Sequence, residues 1–183
     1  MTEKTVTDDE LGQLARRQND LFRRVREGTL PVARVLGALQ GIIEGNLGPL
    51  VINCDVNPFI PDGWSVESHK KGGTLIWDAM QVALYLSKKQ KNGGVIKGVD
   101  LRKELEKKPV MNACVLDALY KHPELIPESW KGEYVFFWGT IYRFGVDSLC
   151  VRYLYWHGDR WNWDYYWLDD DWNSVNPALV RAS

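Results

Sequence analysis

Residues 134–168 read YVFFWGTIYRFGVDSLCVRYLYWHGDRWNWDYYWL, and this stretch decides the fold. It is dense in β-branched and aromatic residues, the types that fit a pleated, half-buried surface. The reading is a three-stranded meander, with strands over 134–142, 149–156 and 161–168. Gly158-Asp159 suits a two-residue hairpin loop with glycine at the first central position. That loop pairs His157 with Arg160, Trp156 with Trp161 and Leu154 with Trp163. An even-length loop after Tyr142 sets Phe137 beside Leu154 and Gly139 beside Arg152. Alternation then sorts the side chains onto two faces. Val135, Phe137, Ile141, Cys150, Leu154 and Trp161 lie on the more apolar face, with Trp156, Trp163 and Arg152. Arg152 among aromatic rings suits cation–π stacking. Phe136, Trp138, Thr140, Tyr142, Val151 and Leu168 lie on the other, with Tyr153, Tyr155, Asp164 and Tyr166. The expected core is Val135, Phe137, Leu154, Trp156 and Trp163.

Outward from the meander the pattern turns helical. Thr7-Asp8-Asp9-Glu10 is a capping-box sequence, and Leu11, Leu14, Leu21 and Val25 follow on one helical stripe until Gly28. Pro31 opens a second helix whose apolar face runs from Val32 to Ile43, with Gly45 as its stop. A helical hairpin over 1–46 therefore precedes an α+β domain over 47–183. Arg16, Arg17, Arg23 and Arg24 face Asp20 and Glu27, as on a solvated, salt-bridged surface. Residues 64–69 and 74–77 flank Lys70-Lys71-Gly72-Gly73 as a hairpin, and 80–90 fits helix or strand. Asp100 caps a helix to Lys107, and another spans Asn112–Tyr120. Asn57–Trp64 and His122–Trp130 share a Pro, Ile-Pro-acid, Trp pattern, each leading into a strand.

The motifs Asn112-Ala113-Cys114-Val115-Leu116-Asp117, Leu125-Ile126-Pro127-Glu128-Ser129-Trp130-Lys131-Gly132, Phe136-Phe137-Trp138-Gly139-Thr140-Ile141-Tyr142-Arg143 and Cys150-Val151-Arg152-Tyr153-Leu154-Tyr155-Trp156 resemble a family of small bacterial hypothetical proteins. The resemblance runs from about Gly45 to the end of the chain. It implies a bacterial, cytoplasmic protein and assigns no functional residue.

Composition excludes more than it selects. Apolar residues at 45% and charged residues at 26% describe a globular chain rather than a disordered one. No apolar run reaches the roughly 18 residues of a membrane span, so no membrane partner is expected. Met1–Glu10 is polar and acidic, unlike a signal peptide. Three scattered cysteines, Cys54, Cys114 and Cys150, read as reduced thiols of the cytoplasm. No CxxC or His spacing marks a zinc site, and Asp169-Asp170-Asp171 lacks a cation-loop pattern. No cofactor signature occurs.

Seven of the nine tryptophans and six of the eight tyrosines fall after residue 129. The expected function is therefore non-catalytic binding of a macromolecular partner on the aromatic sheet, with Trp138, Tyr153, Tyr155, Tyr166 and Asp164 as contacts. Net charge is −1, yet residues 84–131 carry ten basic and six acidic side chains. Lys88, Lys89, Lys91, Lys97 and Arg102 would serve a single-stranded nucleic-acid binder as phosphate contacts. A third reading is a small enzyme whose Cys–His pair, or carboxylates such as Glu128, Glu133 and Asp164, meet only in three dimensions.

Overall fold

The computed structural model describes residues 6–43 and 49–182, and is an α+β fold. The chain divides into two units, Met1–Gly48 and Pro49–Ser183.

The first unit contains α1 (Asp8–Arg26) and α2 (Val32–Ile43). The capping box closes reciprocally: the Thr7 amide donates to Glu10 Oε2 at 2.9 Å, and the Glu10 amide donates to Thr7 Oγ1 at 3.3 Å. Gly28, at φ 73°, ends α1 where a side chain would be strained. Arg23 bridges Asp20 and Glu27 on the exposed face. Gly45, the expected stop of α2, lies outside the described residues.

The second unit is organised around β8 (Ser148–His157). Along one side β8 pairs first with β7 (Thr140–Phe144) and then with β6 (Val135–Phe136); along the other it pairs with β9 (Arg160–Trp167). The sheet extends through β2 (Trp64–His69) beyond β7. Beyond β6 come β11 (Ala178–Arg181), in parallel, and then β4 (Val82–Tyr85). Two small ladders stand apart: β1 (Val51–Asn53) with β3 (Thr74–Ile76), and β5 (Ile96–Lys97) with β10 (Asp171–Trp172). Two helices complete the unit, α3 (Gly98–Leu105) and α4 (Ala113–Lys121).

The β8–β9 register is the one that Gly158-Asp159 dictates, with Trp156 opposite Trp161 and Leu154 opposite Trp163. The first strand of the meander is not continuous. The loop after β7 is odd, three residues between Phe144 and Ser148 in place of the expected even number, and the strand also breaks at Trp138-Gly139, so Val135, not Phe137, pairs with Leu154, and Gly139 is not opposite Arg152. The cause of the break is tertiary. Gly139 donates to the Met111 carbonyl and accepts from the Lys70 amide, and its Cα lies so close to Asn112 that a Cβ would fall within 2.8 Å of the Asn112 side chain. The odd loop exchanges Ile141 and Tyr142 between faces relative to β8, and the break returns Val135 and Phe137 to the faces expected for them. Tyr142 pairs with Cys150 and packs on its side, while Ile141 joins Phe136 and Val151.

Both faces are consequently core. One packs Val135, Phe137 and Leu154 against Val115, Leu116 and Leu119 of α4, with Trp156 and Trp163 half-buried at the margin. The other packs Phe136, Trp138 and Val151 against Leu101 and Leu105 of α3 and against Trp172. Gly98 lets α3 start there, since a Cβ would collide with Trp172 Nε1 and the Leu168 carbonyl.

Three local expectations change. Residues 64–69 and 74–76 are strands but not a hairpin, because β2 joins β7 and β3 joins β1. The helix expected from Asp100 begins at Gly98, with Lys97 at its N-cap. The ambiguous 80–90 segment is a strand, Val82–Tyr85, between 3-10 turns at Ala79–Gln81 and Lys88–Gln90.

Candidate functional site

The expected aromatic platform divides. Trp138 is buried at 5% exposure, its ring centroid 4.6 Å from that of Trp172, so it cannot anchor a partner. Tyr153, Tyr155 and Tyr166 are half-buried and Asp164 is exposed. Tyr134 and Tyr155 pack on Tyr153 at 5.4 and 5.6 Å. This face forms a shallow groove of about 310 Å³ beside Asn173 and Asn176. Burial pushes the Tyr153 hydroxyl up, with Asp164 opposite it adding to the shift, and so favours the neutral phenol.

The basic stretch is similarly divided. Lys88, Lys89 and Lys91 are exposed around the Lys88–Gln90 turn. Lys97 is held by Asp171 at 2.9 Å and by the Asp169 carbonyl, and Arg102 is half-buried. Acidic residues 169–171 therefore neutralise part of the expected phosphate track. Among the described residues, no group of three or more His, Cys, Asp or Glu side chains is placed to hold a metal ion.

A Cys–His approach does occur. Asn112 caps α4 through its side-chain oxygen, which accepts from the Cys114 amide, and this sets Cys114 in the first turn. Cys114 Sγ lies 4.0 Å from His69 Nε2. The surrounding hydrogen bonds oppose nucleophilic use. The Cys54 carbonyl can only accept, which puts the proton of the neutral His69 ring on Nε2. Nδ1 is left to accept from the Thr140 hydroxyl at 2.8 Å, whose oxygen in turn accepts from the Ala113 amide. Nε2 then carries the proton and donates to the Cys54 carbonyl at 3.1 Å. Cys114 gives its own proton to the Val56 carbonyl. The imidazole offers the sulfur no lone pair, and burial pushes the Cys114 thiol up to about 11. A catalytic cysteine needs the opposite shift. Of the expected carboxylates, Glu128 is exposed and paired with Lys131 at 2.6 Å, Glu133 is half-buried and Asp164 lies on the open sheet.

The most developed concavity is elsewhere. A cleft of about 600 Å³ lies between β1, the 56–59 loop and α4, with Arg152 and Trp163 at its base. Helical spacing places Cys114, Asp117, Ala118 and Lys121 on the side of α4 that faces it. Arg152 is 1% exposed. Its Nη1 donates to Asp117 Oδ1 at 2.8 Å, and its guanidinium carbon sits 4.1 Å from the Trp163 ring. Asp117 Oδ2 accepts from the Phe59 amide, and the Tyr142 hydroxyl donates to the Phe59 carbonyl. One carboxylate thus fixes both the arginine and the loop. Among the described residues, Arg152 Nε is buried without a hydrogen-bond partner.

The cation–π environment of Arg152 follows from its place on an aromatic strand. Asp117, Phe59 and the cleft itself do not. The signal available was an acid on the helix face that also carries Cys114 and Ala118. The chain matches no protein-family model, no curated protein and no solved structure.

Proposed function

We propose that this protein is a non-catalytic binding module for a macromolecular partner, and that the cleft over Arg152 is its principal recognition site. The tyrosine groove lined by Tyr134, Tyr153 and Tyr166, with Tyr155 and Asp164 beside it, is an accessory surface. The observation that carries this reading is Arg152: a fully buried guanidinium with one partnered nitrogen and an unpartnered Nε among the described residues, at the base of an open, mostly apolar cleft. The large majority of buried side-chain donors are satisfied, so an unpartnered guanidinium nitrogen beside a cleft calls for an explanation. Apolar walls around a few fixed polar groups are the usual build of a recognition pocket. Motif resemblance and the three unpaired thiols support a bacterial, cytoplasmic setting. No helix among the described residues is long and apolar enough to cross a membrane.

The test is site-resolved photo-crosslinking in cells, with a benzophenone side chain replacing either Ala118 in the cleft or Tyr155 beside the tyrosine groove. Discrete adducts from position 118 are expected. Adducts from position 155 alone, or from neither, overturn the assignment.

The enzyme reading is favoured only by the approach of Cys114 to His69. Its protonation pattern is that of a structural network.

A further inference from the structure

We infer that the cleft receives an extended peptide segment of a partner protein, which adds as a strand to the open edge of β1. This rests on the reading of the cleft as the binding site. The backbone supplies the first argument. The Leu50 carbonyl accepts from the Trp77 amide, and the Cys54 amide donates to the Gly73 carbonyl, so even-numbered residues of this strand turn their backbone groups toward β3. In an antiparallel pair successive residues alternate, so Val51 and Asn53 turn theirs away. Among the described residues no strand pairs with that edge. Leu50–Asn53 line the cleft and β3 does not, which places the open edge on the cleft side.

The second argument is the shape of the opposing wall. An added strand would lie between the edge of β1 and the face of α4 that carries Ala118. Strand addition in such a groove takes affinity from main-chain hydrogen bonds and specificity from alternate side chains. Ile52 is buried, and side chains of the incoming strand that point its way would descend onto Ala118 and Trp163. Apolar or aromatic residues suit those positions.

Charge supplies the third argument. Arg152 is balanced by Asp117 and His122 contacts Glu124, whereas Lys121 is exposed and has no ion-pair partner among the described residues. An acidic residue at one end of the segment complements it. The occupant is therefore an extended segment with alternating apolar residues and an acidic flank. A three-residue edge offers two residues' worth of pairing, so the contact is one of modest affinity.

The experiment uses the full chain and a library of acetylated, amidated hexapeptides with apolar residues at alternating positions and Asp or Glu at either end. Binding is read by fluorescence anisotropy. Selected peptides should lose about tenfold in affinity when an amide facing β1 is N-methylated, as expected for loss of one hydrogen bond. Methylation of the intervening amides should leave affinity within about twofold. Ala118→Trp, which fills the cleft, should abolish binding, and Lys121→Glu should remove the preference for an acidic flank. The N-methyl scan needs no protein variant, so a misfolded Ala118→Trp leaves the test intact. No binder in the library, or binders indifferent to N-methylation, overturns the inference. Concentration-dependent dimers that Ala118→Trp dissolves also overturn it, by making a second copy the occupant. Cross-links at position 118 without peptide binding would sink strand addition and leave the proposed function standing. Absence of both would sink both.

Discussion

Arg152 and Asp117 are the residues whose chemistry is most constrained. Removing one partner of a buried pair leaves the other charge uncompensated, at a cost of about 3–5 kcal/mol. Asp117→Ala also releases the Phe59 amide, and should destabilise by at least that amount in urea melts. The double change Asp117→Leu with Arg152→Met should recover much of the loss, since apolar replacement of a buried pair is often neutral. A single-mutant cost below about 1 kcal/mol would mean that water reaches the guanidinium. The thiols make a second prediction. Burial lifts Cys114 from the ordinary 9.0 to about 11 and Cys150 to about 12, and Tyr142 rises from 10.0 to about 12. In each case the native state holds its proton where the unfolded chain has released it. Their contribution to stability is complete below about pH 9 and declines as pH rises toward 11 and 12. A urea midpoint that stays level from neutral pH and falls steeply above pH 9 is expected; a midpoint that rises there refutes the burial of these groups. Native Cys114 should also resist alkylation at neutral pH, the opposite of an activated nucleophile.

At the scale of elements, legibility followed the range of the determining contact. The β8–β9 hairpin was readable because two-residue turn chemistry and alternation are both local. α4 was readable because Asn112 is a good N-cap ahead of an apolar face. The interruption at Trp138-Gly139 was not, since Val-Phe-Phe-Trp-Gly-Thr-Ile-Tyr is an uninterrupted strand by propensity. What breaks it is Asn112, distant from Gly139 in the sequence but packed directly against it. Gly139→Ala, which forces a Cβ into the Asn112 backbone, should therefore cost about 1–3 kcal/mol. An unchanged melting midpoint would show that the break has another cause. A separate error, taking the three-residue loop after β7 as even, placed Ile141 and Tyr142 on the wrong faces. Phe137 is insensitive to this error because it precedes the break. It is fully buried, and Phe137→Ala should cost about 3–5 kcal/mol in a denaturant melt.

On the scale of the whole molecule, the aromatic wealth of the C-terminal third answers to packing before recognition. A sheet covered on one face by α4 and on the other by α3 and Trp172 needs large apolar side chains on both, which is why alternation alone could not tell an open platform from a second core layer. The cleft was illegible for a related reason. Its residues come from positions 50–59, 114–121, 152 and 163, and no local pattern links them. Among the described residues, the clusters of buried residues run from Ile52 to Leu179, within the second unit, and α1 contains no buried residue. The stability of the second unit should thus be its own. A chain beginning at Pro49 should unfold cooperatively, with a near-ultraviolet circular dichroism spectrum matching the tryptophan signal of the full protein, since all nine tryptophans are retained. Its thermal midpoint should fall within about 4 °C of the full chain, a shift corresponding to no more than about 1 kcal/mol in a domain of this size. A truncated chain that loses its near-ultraviolet signal would instead make the helical unit part of the same cooperative fold. Retained signal, together with retained cross-linking from position 118, would assign folding and recognition alike to residues 49–183.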